Sequence, residues 1–479
     1  MDAVNKKTAK GLVWSLIDRF AGQGIQFLMS LVIARLVLPS DYGLIAMLMV
    51  FMAIAQTFVD SGFGSALVQK KDRTDVDFST VFLFNGAVAL VCYLLLFLAA
   101  PLIASFYRQP ELVLVTRVAG LTLLINALGA VQLARLTITL DFKKIAVATL
   151  TGVTLSGALG IWMAYKGHGV WALVAQTLTF NVLYNGLLWV ISGWKPSLAF
   201  SRSAFKSLFS FGSKLLMSSL LHTLYVNLYS LVIGRLFSSK DLGYYNRSSV
   251  LAMFPSTNLS NVIYRVVYPV QCQLQDDKEA MVAHFIQYVR LSCYVIFPIM
   301  IGFCVLAEPL VLVLLKAKWL PAVPYLQILC LAYMWDAIMK LNGAVINAKG
   351  RSDLFFKAEI YKKIVGFIIL AATVPFGIKV MCYGLILYAF ADIRIISFYT
   401  HQLVGLKLMT QIKAISPSLS LAVMMGAVVW LASCCVDNPW LKLGIGVPLG
   451  VLLYVGASAL FSVREFVHLR GLVKEKLKI

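Results

Sequence analysis

The sequence predicts an all-α polytopic membrane protein with about 14 transmembrane helices: two six-helix lobes related by a parallel repeat, plus two extra C-terminal helices. Three observations predict it. The 479 residues are 60% hydrophobic and 13% charged, against roughly 45–50% and about 25% in soluble domains. Apolar runs long enough to cross a bilayer, about 20 residues each, recur along the chain. One segment also returns at a spacing of 200 residues.

Runs bounded by charge, Gly or Pro place spans at 11–37, 42–67, 78–104, 112–134, 145–165, 170–192, 207–236, 242–268, 286–314, 322–348, 358–376, 380–403, 414–435 and 441–462. The first, seventh and eighth are the most polar. Lys6, Lys7 and Lys10 lead into the first span without a small-residue cleavage site, so that span is expected to stay in the mature protein. Every loop is too short for an independent domain. Trp162, Tyr165, Trp171, Trp194, Trp319 and Trp440 fall near span ends and are expected to be interface anchors first, sugar-stacking platforms second.

The net charge of +21 would suggest nucleic acid in a soluble protein. Here Lys and Arg mark cytoplasmic loops instead, and no nucleic-acid partner is expected. With the N-terminus inside, cytoplasmic segments hold about 26 of the 42 Lys and Arg, and the opposite side about nine. Both termini are therefore expected in the cytoplasm.

The repeat begins at Leu28-Met29-Ser30-Leu31-Val32-Ile33-Ala34-Arg35-Leu36 with Asp41-Tyr42-Gly43. It returns as Leu228-Tyr229-Ser230-Leu231-Val232-Ile233-Gly234-Arg235-Leu236 with Asp241-Leu242-Gly243. About nine of sixteen positions agree, where chance gives about one. Later anchors follow in order. Leu98-Ala99-Ala100-Pro101-Leu102 resembles Leu306-Ala307-Glu308-Pro309-Leu310, and Gly129-Ala130-Val131 resembles Gly343-Ala344-Val345. An even number of spans separates matching helices, so the copies point the same way. The expected division is an N-lobe over 1–200, a C-lobe over 201–410, two further spans over 411–462, and a basic amphipathic or solvated tail over 463–479.

The eight cysteines show no metal spacing and sit mostly in apolar runs, and a vicinal bridge between Cys434 and Cys435 would be strained. No GxxxxGK[ST] phosphate loop is present. No metal, no cofactor and no enzymatic activity are expected, only a suspected proton or sodium gradient.

At Ala34-Arg35-Leu36-Val37-Leu38-Pro39-Ser40-Asp41-Tyr42-Gly43 the chain resembles the polysaccharide exporters of the multidrug/oligosaccharidyl-lipid/polysaccharide superfamily. Gly62-Phe63-Gly64-Ser65-Ala66-Leu67-Val68-Gln69 and Leu242-Gly243-Tyr244-Tyr245-Asn246-Arg247 fit the same family. Tyr268-Pro269-Val270 with Leu274-Gln275-Asp276-Asp277 is most similar to its colanic-acid-exporter, Wzx-type branch. The resemblance implies two six-helix bundles around a central cavity. It also implies transfer of an undecaprenyl-diphosphate-linked oligosaccharide from the cytoplasmic to the periplasmic leaflet. Membrane lipids and the polysaccharide polymerase machinery are the other expected partners. Drug and lipid II exporters share this fold, so fold alone does not fix the substrate.

Polar residues at membrane depth are the candidate site, because charge there tends to face a cavity or a partner. In the first span Arg19, Gln23 and Gln26 share one helical face at i, i+4 and i+7; Asp18 points about 100° away from Arg19. In the seventh span Lys214, Ser218 and His222 follow i, i+4, i+8. In the eighth, Asn258, Asn261 and Arg265 follow i, i+3, i+7, with Arg247 toward the opposite end and Pro255 expected to interrupt the helix. Arg19, Lys214, Arg247 and Arg265, with Gln23, Gln26, Asn258 and Asn261, are the candidate lining of a cationic cavity that would take a diphosphate. The bland alternatives are polar glue between helices, snorkelling of Lys214 and headgroup contact by the arginines. Asp18, Asp60 and His222 are the ion-coupling candidates. Asp60 could instead cap a helix or pair with Lys70 or Lys71. Asp336 and Lys340 are expected to neutralise each other at i, i+4, and Asp392 and Arg394 to pair across helices.

Two rival functions share these features. A drug or small-cation antiporter would be expected to line its cavity with acids. A membrane polymerase or ligase needs a large outer loop bearing acid/base residues, and the outer loops here are short.

Overall fold

The computed structural model describes the backbone of residues 2–60, 63–70, 72–467 and 470–471. Side chains of 2–13 and 15–19, and some within 61–71 and 203–218, lie outside the described residues. Among the described residues every regular element is helical. A bilayer leaves no water to satisfy backbone amides, so a chain this apolar closes its hydrogen bonds within helices.

In the first unit the helices are α1 (Asp2–Leu36), α2 (Pro39–Asp60), α3 (Phe63–Gln69), α4 (Asp75–Tyr107), α5 (Leu112–Ala119), α6 (Leu121–Ile138), α7 (Phe142–Tyr165), α8 (Val170–Ser192) and α9 (Arg202–Leu236). The next helix, α10 (Ser239–Gln273), carries the chain into the second unit. There follow α11 (Lys278–Val305), α12 (Ala307–Leu315), α13 (Val323–Tyr333), α14 (Asp336–Ala348), α15 (Ser352–Thr373), α16 (Ile378–Val404), α17 (Leu408–Cys434) and α18 (Pro439–Leu460). The compact units are Met1–Gly243 and Tyr244–Ile479.

Among the described residues the expected spans fall on helix, with 42–67 shared between α2 and α3. Ten helical stretches among the described residues are long and apolar enough to cross a membrane, and Phe20–Leu36 adds a shorter one. The protein is therefore a multi-pass membrane protein. The helices that miss the apolar criterion, α9, α10 and α15, are richer in Lys, Arg and other polar residues. Their polarity lowers the hydropathy without breaking the helix.

Several expected spans are broken. The span 112–134 divides at Gly120 into α5 and α6, and 286–314 divides at Leu306. The span 322–348 divides at Met334 and Trp335, where the Tyr333 carbonyl accepts from Ser256 Oγ at 2.6 Å. A carbonyl satisfied from a neighbouring helix needs no partner in its own. Pro255, expected to interrupt α10, does not: α10 runs unbroken through Pro255 and Pro269.

Local signals set the ends. Thr74 caps α4, with Asp77 N–H donating to its hydroxyl at 3.4 Å and the Thr74 amide donating to Asp77 Oδ2 at 2.8 Å. Asp277 caps α11 by accepting from Ala280 N–H at 2.9 Å.

In the first unit α1 packs along α7, and α9 packs on α2. Thr57 and Thr223 hydroxyls meet there at 3.1 Å. The packing boundary at 243/244 thus lies past the division expected at 200/201, because α9 rests on α2. The repeated glycines come together at this place. A Cβ on Gly43 would lie 1.7 Å from the Ser239 carbonyl oxygen, and one on Gly243 would lie 1.9 Å from that of Pro39. Residues 39 and 239, like 43 and 243, are repeat mates, so the crossing is symmetric in the repeat. Only glycine permits backbones this close.

In the second unit α17 rests mainly on α11, α16 on α13, α14 and α15, and α18 on α17 and α12. Two expected interface tryptophans are core residues. Trp319 is fully buried and meets Tyr244 edge-on at 6.0 Å. Trp194 packs against Phe78 and Phe82, with the Arg135 guanidinium over its ring at 5.7 Å. Both tryptophans belong to connecting segments, Trp194 between α8 and α9 and Trp319 in the short turn Ala317–Ala322 before α13. Trp162, Tyr165 and Trp440 are exposed as expected. The eight cysteines are all free.

Candidate functional site

The apolar helices of the first unit contain a ladder of amides. Gln56 on α2 donates to Asp60 Oδ1 at 2.7 Å and accepts from Asn126 of α6 at 3.2 Å. Asn126 in turn accepts from Asn185 of α8 at 3.2 Å, and Asn185 also donates to the Asn181 carbonyl at 2.8 Å. Gly129 makes room for it: a Cβ there would lie 1.7 Å from Asn185 Oδ1. The ladder joins three helices and ends on an exposed carboxylate. Sequence reasoning found Asp60 but missed Gln56, Asn126 and Asn185. The available signal was amides at helical spacing inside apolar spans.

Asp60 does not pair with Lys70. Lys70 is 2.7 Å from Asp77 at the capped start of α4, which is nearly buried. The Asp77 carboxylate serves the cap and the lysine together, a geometry Asp60 cannot offer.

The side chains of Asp18, Arg19 and Lys214 lie outside the described residues. Of the remaining candidates, Gln23, Gln26, His222 and Arg265 are exposed. Asn258 donates to the Phe254 carbonyl within its own helix at 2.9 Å. Asn261 accepts from Lys340 Nζ at 2.9 Å, and that lysine is also 2.8 Å from Asp336. Arg247 is buried, at 3% exposure. The structure thus joins Asn261 to the expected pair of Asp336 and Lys340, and buries Arg247 in the first third of α10.

Asp392 pairs across helices, as expected, with Lys362 of α15 at 2.9 Å; Lys362 is also 2.9 Å from Glu359. Arg394 takes no such partner. It lies on the other side of α16 beside Trp335 and Phe390. Lys362 was missed because no spacing within one helix links it to Asp392. In the first turn of α15, Asp353 accepts two hydrogen bonds from Arg351 at 2.8 Å each, which hold its carboxyl low, at about 2. It stays ionised wherever a coupling proton would cycle.

An apolar cleft of about 710 Å³ lies between α2, α4 and α9, lined by Phe51, Phe58, Leu95, Phe106 and Leu231. At its end Arg235 donates to the Phe106 carbonyl and stacks over that ring at 4.9 Å. The first turn of the tail is fixed by Glu465, which is buried against Arg290. Residues 468–469 and 472–479, the rest of the expected amphipathic stripe, lie outside the described residues. Among the described residues no group of His, Cys, Asp and Glu could hold a metal.

A protein family described as "Polysaccharide biosynthesis protein" matches residues 32–324. The chain is 27% identical over 359 residues to the teichuronic acid biosynthesis protein TuaB of Bacillus subtilis, covering 74% of each chain. It is 26% identical over 367 residues to the lipopolysaccharide biosynthesis protein WzxC of Escherichia coli, covering 75% of this chain and 74% of that one. Its fold is similar to that of the lipid II flippase MurJ in an inward closed conformation. There the TM-score is 0.77 at 15% identity, covering 94% of this chain and 98% of that one.

Proposed function

Because the chain belongs to this family of polysaccharide biosynthesis proteins, we propose that it is a flippase for a diphosphate-linked lipid oligosaccharide. It moves undecaprenyl-diphosphate-linked sugars from the cytoplasmic to the periplasmic leaflet of the bacterial inner membrane, for surface polysaccharide. The observation that carries this reading is the family match over 32–324, joined to relatives named for teichuronic acid and lipopolysaccharide biosynthesis. The polar helices support it. Gln23, Gln26, His222 and Arg265 remain exposed on helices that also expose apolar residues such as Leu28, Leu221 and Val266, and polar groups at such positions suit a wet route through lipid.

Arg19, Lys214 and Arg265 hold the diphosphate, Arg through its forked donors and Lys as a point charge. Gln23, Gln26 and Asn258 hydrogen-bond sugar hydroxyls. Arg247 and Asn261 join only after a rearrangement, since one is buried and the other holds Lys340. The lipid tail stays in the bilayer, and the apolar cleft beside Phe51 and Leu231 suits such a chain. Two six-helix lobes alternate access, with the last two helices outside the repeat, both termini in the cytoplasm and the polymerase receiving the product. A proton or sodium gradient resets the cycle through Asp18, Asp60 or His222. Asp60 is the best placed of these, because the amide ladder ties its carboxylate to α6 and α8.

Deletion of the gene tests the reading. One lipid-linked oligosaccharide is expected to accumulate on the cytoplasmic leaflet. Accumulation of none would contradict it.

A further inference from the structure

Arg394 stands apart from the residues proposed for transport. It sits on α16 about 15 Å along the axis from the helix end at Val404. Asp392, two residues earlier, points about 200° away and is neutralised by Lys362. Arg394 is exposed, and among the described residues it has no hydrogen-bond or ion-pair partner. A guanidinium left bare in hydrocarbon is costly and calls for a partner from outside the chain.

The side chain lines a cleft of about 350 Å³ between α14, α16 and α17. Its walls include Trp335 and Phe390, whose rings are 5.2 Å apart, and Ile412. The amide on the wall, Gln411, is buried and already exchanges hydrogen bonds with Asn342 at 2.9 and 3.3 Å. No acid opposes Arg394. α17 contains no Asp or Glu over its whole length and carries Lys413. On α14, Asp336 is held by Lys340. The cleft thus offers one unpaired cation above an apolar slot, the two ends of an anionic amphiphile. A free anion would use the cation and leave the slot empty.

We infer that this cleft binds an anionic phospholipid, its phosphate on Arg394 and an acyl chain against Trp335, Phe390 and Ile412. The lipid wedges between α16 and α17, which pack chiefly on other helices, and steadies the second unit from its lipid-facing side.

Native mass spectrometry of the full chain, released from detergent with defined lipids, tests this. One phosphatidylglycerol is expected to stay bound under activation that strips phosphatidylcholine. Arg394→Gln is expected to weaken phosphatidylglycerol retention at least about fivefold, to the level of phosphatidylcholine, and Arg394→Lys to keep most of it. Ile412→Trp fills the slot, keeps the charge, and is expected to lose the bound lipid. It serves as the deciding variant if Arg394→Gln is not recovered folded. Unchanged phosphatidylglycerol preference in Arg394→Gln, or retention in Ile412→Trp, overturns the inference. So does displacement by inorganic phosphate, which marks a free-anion site, or stronger binding of undecaprenyl phosphate, which marks a substrate site.

Discussion

Lys362 shows how a buried charge is settled in this chain. It is 5% exposed, and its ammonium lies between Glu359 and Asp392. Removing one partner of a buried pair strands the other, which costs roughly 3–5 kcal/mol, whereas replacing both by apolar groups is often close to neutral. Asp392→Ala is therefore expected to lower stability by about 3–5 kcal/mol, and Lys362→Met combined with Asp392→Leu to recover most of it. Thermal unfolding in detergent checks both. A double-variant loss equal to the sum of the losses from Asp392→Leu and Lys362→Met alone would show that the pair is not coupled. The legible ionic contact was the one inside a single helix, between Asp336 and Lys340. The pair of Lys362 and Asp392, and the ladder from Gln56 to Asn185, join different helices. Helical spacing says which residues share a face and nothing about which faces meet.

At the scale of elements, ten spans were legible from length and hydropathy, which decide whether a helix can cross lipid. The breaks at Leu306 and Met334 were not, since the break at Met334 is set by Ser256 on another helix. The repeat announced Gly43 and Gly243 as a matched pair without saying that they touch. Their contact makes a sharp prediction. A methyl at Gly43 would fall 1.7 Å from a backbone oxygen, and backbone cannot swing aside as a side chain can. Gly43→Ala and Gly243→Ala are each expected to cost at least about 1–3 kcal/mol through overpacking and to depress transport. Gly64→Ala, with nothing within 4 Å of the new methyl, is expected to leave both unchanged. Unfolding curves and complementation of the deletion strain read the difference. Tolerance of alanine at both 43 and 243 would show that the crossing is not needed.

For the whole molecule, composition and repeat pointed to a membrane transporter of two related halves; the family match agrees with a place in polysaccharide biosynthesis and the MurJ-like fold with an all-helical membrane architecture. The candidate cationic lining was less legible. Arg247 is buried and Asn261 is occupied, because polarity in a span marks a residue that needs a partner without naming it. The account turns on vectorial movement of a lipid-linked sugar by this chain alone. Purified protein in sealed vesicles, loaded with a fluorescent undecaprenyl-diphosphate oligosaccharide on one leaflet and given a proton or sodium gradient, tests that directly. Transfer to the opposite leaflet, readable as loss of protection from an impermeant quencher and reduced in Arg19→Ala, is the predicted result. Vesicles with folded protein that transfer no more than empty ones, under either gradient, would contradict it.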